Sequence, residues 1–523
     1  MNVRTSALGT QDGRSVIWYL AFFGVFAFYA ARSGDHLISH DVGWFLYGSE
    51  RLLDGATLYQ DIVDMNPPLI FYFGVPSVWI AHLGGWSPIA VFKIFLLFTV
   101  AMSLVICSRF MTVVLSDVAR GLRRGLALML AVLLTTLVAS DFGQREHIMI
   151  TLVLPYVFAV SVRARGERVG NSMGIVVGLL AGVGLALKPY FVIPCLALEV
   201  YLANRVRQAR PWNRPEFLVI AVVQVLYWTV VLFYQTEYVD LVRRMHHLYE
   251  AYDTTLDDLL VNRVTPLWLA SFAAFAAQRS NARAKEFRVV TFIAGNAFFL
   301  MALLQNKGWI YHFLPALVLL VMFLWVSGGI AMTSGRENVY LKLLRSRPFI
   351  NIVVPISLLT LVVTFDAFWT ARKKPYADLI PILTHHAAGK SVFVFSTSMT
   401  PAFPVVNYSR VKWPSPFPCL WFLPHFYERR AGQSETGTPY HSIEQMDSVE
   451  HGLFDQVVSA LVTEPPLLII NNIVEPRQAL DVTAFDFIEY YSRDLRFAQL
   501  FSTYQPIATI GPYVVYKRDE RVM

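Results

Sequence analysis

The stretch SHDVGWFLYGSERLLDGATLYQDIVDMNPPL, residues 39–69, directly follows the first apolar run of the chain. It contains one Trp, two Tyr and five Leu residues, and its last three residues are a pair of prolines and Leu69. Its five carboxylates are Asp41, Glu50, Asp54, Asp61 and Asp64. The rest of the chain is poor in charge, so this concentration of acids calls for a functional explanation.

The composition is that of a multi-spanning membrane protein. Of the 523 residues, 55% are hydrophobic and 15% are charged, whereas soluble domains carry about 25% charged residues. Apolar runs of roughly 17–22 residues recur, and each is long enough to cross a hydrocarbon core of about 30 Å as a helix. We predict about eleven spans, at 16–31, 89–110, 125–140, 147–162, 172–187, 190–203, 217–235, 265–278, 288–304, 309–328 and 348–368.

The positively charged residues predict the orientation. Lys and Arg concentrate in alternate loops, at 120–124, 163–168, 205–214, 279–288 and 336–347. The positive-inside rule places such loops in the cytoplasm. Residues 1–15 are then a cytoplasmic tail, 16–369 the transmembrane domain and 370–523 an outer domain. The predicted outer loops are 32–88, 140–146, 236–264 and 305–308.

Residues 370–523 differ in character from the rest. The β-branched and aromatic runs SVFVFSTS, PPLLIINN and GPYVVYKR are bounded by Pro, Gly or Asn. Polar, helix-compatible stretches such as 480–500 lie between them. The pattern predicts a small α/β domain, which the topology places on the extracytoplasmic side.

The first outer loop, 32–88, begins with a predicted amphipathic helix over 44–53 that lies on the membrane and stops at Gly55. The Pro pair of NPPL fits only the first turn of a new helix, and the apolar run 69–83 then returns toward the membrane. Asp41 is thereby held at the boundary between membrane and water. A structural alternative is that Asp41 caps the helix over 44–53.

The order of these features carries a family resemblance. An acidic residue just after the first span, a Tyr-containing helix with LLDGATLY and then NPPL resemble the first extracytoplasmic loop of GT-C glycosyltransferases. The similarity is to the bacterial group of lipid A aminoarabinose transferases and rhizobial lipopolysaccharide glycosyltransferases, related to protein O-mannosyltransferases. It covers roughly 10–330 in topology, with its specific residues mostly in 35–70.

The resemblance implies that Asp41 is the catalytic carboxylate. Many members carry an Asp-Glu pair here, whereas this chain reads HDVG, so the second acid is absent and His40 precedes Asp41. We expect residues of this loop to line the substrate, namely His40, Tyr47, Tyr59 and Asn66.

The outer loop in SDFGQREHIMI gathers four ionisable side chains. An ionised group at the centre of a membrane helix costs roughly 2.5–3.5 kcal/mol, so they need a polar cavity or the interface. The alternative is a hairpin turn wetted by water. GT-C enzymes often carry a second acidic motif here, so Asp141, Glu146 and His147 are candidates to orient the acceptor or to bind a metal. Arg145 could grip a phosphate with two hydrogen bonds.

Two further outer elements supply cations. Lys188 in GLALKPYF resembles the family's Lys-x-Pro element, and it either snorkels or binds an anion. Lys307 in QNKGWIYHF stands at a helix start, where a phosphate would also find free N–H groups. We predict that Arg145, Lys188 and Lys307 hold the donor phosphate. Substrate-lining residues in the same stretch are Trp309, Tyr311 and His312, although the aromatic residues could instead form an interfacial belt.

Two other stretches carry weaker signals. In the loop 236–264, neighbouring His246 and His247 would point about 100° apart on a helix, so a shared metal is not expected. We predict a mobile, solvated loop over the site. In the C-terminal domain, VVNYSRVKWPSPFP is aromatic and basic enough to contact an acceptor glycan.

Together these features predict a hexosyl or pentosyl transferase in a bacterial inner membrane, acting at the periplasmic face. It would move a sugar from a polyprenyl-phosphate donor to a cell-envelope acceptor such as lipopolysaccharide, with inversion by a single displacement. The sequence indicates no definite cofactor, and it does not decide whether a divalent metal takes part, because members of the resembled family differ in this respect. The net charge of +7 lies in inter-helix loops, so no nucleic-acid partner is expected.

Two other classes share the hydrophobicity. A lipid-linked oligosaccharide polymerase or ligase usually concentrates Arg and His in one large middle loop, whereas here the acids follow the first span. A lipid or sugar transporter, such as a flippase, predicts inverted repeats and ionisable residues at mid-membrane. The sequence shows neither feature.

Overall fold

The computed structural model describes residues 12–206, 212–277, 283–334, 353–370, 374–427, 440–473, 485–519 and 521. Several predicted segments lie wholly or partly outside the described residues. They are most of the tail 1–15, the basic loop 336–347, parts of the loops 205–214 and 279–288, and the start of the span 348–368.

The chain divides into two compact units. Unit 1 comprises Met1–Leu37, Ala90–Val230 and Thr254–Arg372. Unit 2 comprises Ile38–Ile89, Val231–Asp253 and Lys373–Met523.

The described part of unit 1 is built from helices. Its α-helices, with two that cross a unit boundary along the chain, are Asp12–Arg32, Pro88–Val114, Arg120–Leu134, Arg145–Ala164, Asn171–Ala186, Val192–Val206, Pro215–Tyr234, Leu256–Leu260, Thr265–Ala276, Lys285–Leu304, Leu314–Ser334 and Val354–Thr370. Its 3-10 helices are Thr136–Asp141, Pro189–Phe191 and Ile310–Phe313.

Within the described ranges, five helices are long and apolar enough to cross a membrane. They are Pro88–Val114, Arg145–Ala164, Pro215–Tyr234, Lys285–Leu304 and Ile310–Met332. Five shorter apolar helices are Val16–Arg32, Leu69–Gly84, Asn171–Ala186, Thr265–Ala276 and Val354–Thr370. The prediction of one continuous helix over 125–140 is wrong, because the α-helix ends at Leu134 and Ala139 adopts a positive φ of 52°.

Small residues bring two helices of unit 1 close together. Gly174, Gly178 and Gly182 recur every four residues on helix Asn171–Ala186. A Cβ atom at Gly178 would lie 2.7 Å from the carbonyl oxygen of Glu216, and one at Gly182 or Gly174 would also meet the facing helix. This spacing allows the close backbone approach that membrane helices use for packing.

A buried ion network joins several segments at Glu216. The guanidinium of Arg163 donates through Nε to Oε1 of Glu216 at 3.0 Å and through Nη2 to Oε2 at 3.2 Å. Arg214 donates to Oε1 at 3.4 Å and also bonds Glu199, which accepts from the Tyr156 hydroxyl at 2.5 Å. We call these five residues the closed ion cluster, because both carboxylate oxygens of Glu216 are hydrogen-bonded.

Unit 2 combines helices with one sheet. Its α-helices are His40–Leu53, Leu69–Gly84, Thr236–Met245, Leu379–Ala387, Ala402–Ser409, Leu423–Tyr427, Ser448–Thr463, Phe487–Ser492 and Leu495–Phe501. Its 3-10 helices are His246–Tyr252, Pro375–Asp378 and Ile443–Gln445. Its strands are β1 (Val392–Phe395), β2 (Leu468–Asn472), β3 (Tyr504–Ile510) and β4 (Tyr513–Arg518).

The sheet confirms the predicted C-terminal α/β fold. The strand order is β1-β2-β4-β3, with β1 and β2 parallel and the other pairs antiparallel. Val392 pairs with Leu468, and Leu468 with Lys517. The three predicted runs form β1, β2 and β4. Strand β3 was not predicted, because it lies at the sheet edge with mainly exposed residues and contains a proline.

The first outer loop and the loop 236–264 contain more helix than predicted. The helix expected over 44–53 begins at His40, and Gly55 ends it with a φ of 92°. The region 236–264 is helical over Thr236–Met245 and again in two short segments. Leu241, Leu248 and Leu259 of these helices are buried, and the predicted mobility of this segment stays a prediction.

Candidate active site

Asp41 lies in the first turn of helix His40–Leu53. Ser39 is the N-cap, and its side chain accepts a hydrogen bond from a backbone N–H three residues later. The alternative that Asp41 caps a helix over 44–53 is therefore wrong. The helix dipole favours a carboxylate in the first turn, and Asp41 is 8% exposed. Beside it, Nε2 of His40 lies 3.6 Å from Oδ1 of Asp41.

A second carboxylate of this loop, Asp64, holds the turn before the Pro pair. Its Oδ2 accepts from the indole N–H of Trp44 at 2.7 Å, and its Oδ1 accepts from the backbone N–H of Asn66 at 2.6 Å. No role was predicted for Asp64, although Asp side chains often accept a hydrogen bond from the backbone N–H two residues later. Asn66 itself is only partly buried.

The hydroxyl groups of Tyr47 and Tyr59 bind the backbone of unit 2. The Tyr47 hydroxyl donates to the carbonyl of Trp413 at 3.2 Å and accepts from its N–H at 3.1 Å, and burial raises the pKa of Tyr47. The Tyr59 hydroxyl donates to the carbonyl of Asn66 at 2.9 Å. Both residues therefore position the loop, and their contact with substrate stays a prediction.

In unit 1, Glu146 and Lys188 form a buried ion pair. Nζ of Lys188 lies 2.5 Å from Oε1 of Glu146, and the two residues are 3% and 0% exposed, respectively. Lys188 also donates to the Gln305 side chain at 3.3 Å, and Nε2 of His312 lies 3.5 Å from Nζ. We call these four residues the open ion cluster. Oε2 of Glu146 and Nδ1 of His312 are buried without a hydrogen-bond partner in the described part of the chain.

One of the three predicted phosphate ligands, Lys188, belongs to this cluster, and the other two lie within electrostatic range of it. Arg145, Lys188 and Lys307 all interact electrostatically with the His312 imidazole. They come from three separate parts of the sequence, and Arg145 is almost fully buried at the start of its helix. Only the fold brings them together. Three cations around one buried ring can attract a multiply charged anion such as a phosphate.

Aromatic rings surround the ammonium group of Lys188. Nζ lies 5.7 Å from the ring centroids of Tyr190 and Phe191 and 6.0 Å from that of Tyr311. Trp309 lies 5.5 Å from His312 between ring centroids. Of the predicted substrate-lining residues, Tyr311, Trp309 and His312 thus lie at the open ion cluster.

His147 has a structural position. Its Nδ1 accepts from the backbone N–H of Gly143 at 3.2 Å, and its Nε2 donates to the carbonyl of Leu134 at 2.9 Å. Both ring nitrogens therefore bind the backbone, and no lone pair or proton is left for an acceptor or a metal. The carbonyl of Asp141 accepts from the N–H of Gln144 at 2.9 Å, so Asp141 also lies within this turn.

No metal ligand set can be assigned. In the residues that the structure describes, no three His, Cys, Asp or Glu side chains are grouped so that they could hold a metal ion. His246 and His247 have ring centroids 6.0 Å apart and nearly perpendicular planes.

A polar network at the end of the first helix was not predicted. Asp366, in the late span Val354–Thr370, accepts from Nε of Arg32 at 3.1 Å and pairs with Nε2 of His36 at 2.6 Å. Lys93 donates to the carbonyl of His36 at 2.7 Å. Residues more than 300 positions apart give no local sequence signal for such pairing.

A scan against models of known protein families finds no match, and a search of curated protein sequences finds none. Solved structures do match. A crystal structure of ArnT from Cupriavidus metallidurans bound to undecaprenyl phosphate aligns with a TM-score of 0.59 and 12% identity, over 98% of this chain and 99% of that chain. The apo ArnT structure gives 0.60 and 14%, over 96% and 98%.

The mycobacterial arabinofuranosyltransferase AftD aligns over 98% of this chain and 42% of its own, with 14% identity and a TM-score of 0.45, which is too low to indicate the fold. ArnT is a GT-C glycosyltransferase, and at 12–14% identity its match shows the fold alone. The chain therefore has the GT-C fold, which confirms the resemblance that its first outer loop suggested.

Proposed function

We propose that this protein is a membrane glycosyltransferase that moves a hexose or pentose from a polyprenyl-phosphate donor to a cell-envelope glycan or glycolipid. The observation that carries the proposal is the buried contact of Lys188 with Glu146 and His312, with Arg145 and Lys307 within electrostatic range of His312, in a chain with the GT-C fold. The ArnT structure bound to undecaprenyl phosphate supports a lipid phosphate as ligand of this fold.

The cations are assigned to the donor phosphate. As the bond between the sugar and the phosphate breaks, its electron pair passes to the phosphate oxygen, so negative charge grows there. Preorganised cations in a buried, poorly hydrated place stabilise such developing charge strongly. Arg145 and Lys188 are both almost fully buried, and this supports their assignment.

Asp41 is assigned to the acceptor. The acceptor oxygen attacks the anomeric carbon, the new carbon–oxygen bond forms, and the hydroxyl proton passes to the Asp41 carboxylate. A single displacement of this kind inverts the anomeric centre. Asp41 lies in the first turn of its helix, close to the backbone N–H groups of the helix N-terminus.

The Asp41→Asn variant tests this assignment. We expect transfer to fall about 10²–10⁴-fold, the usual contribution of a general base. The matched control is Asp54→Asn, an exposed carboxylate at the end of the same helix, which should keep wild-type activity. Release of polyprenyl phosphate from labelled hexosyl and pentosyl donors in proteoliposomes is the readout. Undiminished activity of Asp41→Asn would remove the assignment, and lipid movement without bond cleavage would favour a flippase.

We further propose that the active site and the C-terminal domain are periplasmic. The three native cysteines are buried, so an introduced cysteine can be labelled selectively. Ser502→Cys lies on the exposed surface of the C-terminal domain and Ala119→Cys in a predicted cytoplasmic loop. A membrane-impermeant maleimide should label Ser502→Cys in spheroplasts and Ala119→Cys only after permeabilisation. The reverse pattern would overturn the orientation.

A further inference from the structure

The open ion cluster contains a carboxylate, Glu146, that is paired with Lys188, one of the cations that are proposed to bind phosphate. Glu146 lies 2.5 Å from Nζ of Lys188, and its Oε1 lies 3.8 Å from Nε2 of His312. Glu146 is completely buried in the first turn of its helix, where the helix dipole favours an anion. A phosphate that binds Lys188 must therefore compete with a carboxylate already in place.

The bonding of Glu146 differs from that of a carboxylate that only ties helices together. Its Oε2 and the Nδ1 atom of His312 have no hydrogen-bond partner within the described ranges. Buried polar atoms are normally satisfied, and an exception calls for an explanation. Such unpaired atoms are expected in a cluster whose residues change hydrogen-bond partners when a ligand binds.

The two lipid phosphates of the proposed reaction differ in charge. The donor is a phosphodiester with a single negative charge, whereas the spent carrier is a phosphomonoester with a charge of about −1.5 to −2 at neutral pH. Coulomb energy scales with the product of the charges. A phosphate site whose cations lack a counterion would therefore bind the spent carrier much more tightly than the donor, and turnover would be limited by product release.

We propose that Glu146 is the counterion that limits retention of the spent polyprenyl phosphate. Glu146 offsets the positive charge of Lys188, and it gives Lys188 a partner to return to when the lipid leaves. The proposal rests on the proposed function, since it requires that the cations bind phosphate. Glu146 is then a positioning residue that acts through Lys188.

The test compares two probes that need no knowledge of the sugar. Undecaprenyl phosphate represents the spent carrier, and its methyl ester, a phosphodiester, represents the donor. Affinities for the full-length purified protein are measured in nanodiscs. In Glu146→Gln we expect the diester to bind about threefold tighter and the monoester about tenfold tighter, because doubling the ligand charge doubles the Coulomb term.

Three variants complete the comparison. Lys188→Met should weaken binding of both probes, and of the monoester more. The double variant with Glu146→Gln and Lys188→Met has the wild-type net charge and should restore the monoester-to-diester affinity ratio toward that of wild type. The matched control is Glu286→Gln, which removes a carboxylate paired with Arg205 at 2.9 Å elsewhere in unit 1 and should change neither affinity.

The outcomes separate the two proposals. If Lys188→Met weakens binding while Glu146→Gln leaves the monoester-to-diester ratio unchanged, the counterion proposal is overturned and the phosphate site stands. If none of the variants changes either affinity, the phosphate site itself fails. Should Glu146→Gln not fold, the double variant is read against Lys188→Met, and an unchanged ratio between those two would equally overturn the proposal.

Discussion

The two buried ion clusters of unit 1 contain similar residues but differ in how completely they are bonded. In the closed ion cluster, Glu216 receives hydrogen bonds from two guanidinium groups on both of its oxygens. In the open ion cluster, Glu146 meets one ammonium group, and one oxygen has no partner among the described residues. Both glutamates are completely buried.

The difference indicates what each cluster is for. Burying a charge costs several kcal/mol, which only good geometry and additional hydrogen bonds repay. The closed ion cluster meets that condition and joins segments that are distant in the sequence. The open ion cluster does not meet it, so its cost is better explained by a ligand than by stability.

The largest effect, a loss of stability, should come from disrupting the closed ion cluster. Glu216→Gln leaves Arg163 and Arg214 without their shared anion, and breaking a buried pair in this way costs about 3–5 kcal/mol. The free energy of unfolding, or the thermal midpoint in detergent, measures the loss. Transfer activity per folded molecule should not change; a parallel loss of affinity for undecaprenyl phosphate would contradict the division of roles.

The next largest effect should be a loss of transfer activity when Glu146 and Lys188 of the open ion cluster are replaced together. In the double variant with Glu146→Gln and Lys188→Met no buried charge is left alone, so the free energy of unfolding should stay within about 1 kcal/mol of wild type. The rate of transfer should still fall about 10²-fold, because a cation at the leaving oxygen is lost. A stability loss as large as that of Glu216→Gln would show that the two clusters do not differ.

A smaller effect is expected beside the closed ion cluster, at Gly178. Any Cβ there would lie 2.7 Å from the backbone oxygen of Glu216, so Gly178→Val forces two helices apart. We expect a loss of about 1–3 kcal/mol, the usual cost of overpacking, in thermal unfolding. The matched control is Gly170→Ala, because open space surrounds that position. Gly166→Ala would not serve, because a φ of 80° is strained for residues other than glycine.

The smallest effect on stability should come from breaking a solvent-exposed ion pair. Asp455 and Arg496 lie 2.6 Å apart in the C-terminal domain, and both side chains are nearly half exposed. Exposed pairs contribute about 0–1 kcal/mol, so Asp455→Asn should hardly move the unfolding transition. A shift comparable to that of Glu216→Gln would mean that distance alone, without burial, determines the strength of these pairs.

The sequence predicts the class of fold well, because composition and apolar runs report directly on the membrane. It also predicts three of the four strands. The assignment of Arg145, Lys188 and Lys307 to one phosphate site stays a prediction. The sequence does not predict the partners of these cations. Glu146 reads as an acceptor ligand in the sequence, whereas in the fold it pairs with Lys188 across 42 positions.

The remaining errors have physical explanations. A helix interruption at Thr135 leaves the apolar pattern intact, because the residues that follow are still Leu and Val. Periodicity alone therefore extends the helix through 125–140. The hydrogen bonds of His147 were not predicted for a different reason, because its partners are backbone atoms, which carry no residue-specific signal.

That imidazole has a consequence for how the chain can vary. One ring nitrogen donates a proton to the carbonyl of Leu134, the last residue of its helix. The other ring nitrogen accepts a hydrogen bond from the backbone amide of Gly143. A neutral glutamine could supply the same pair of functions, whereas phenylalanine could supply neither and would orphan two main-chain groups away from water. The side chain at 147 is thus constrained by a two-ended chemical requirement and by its size.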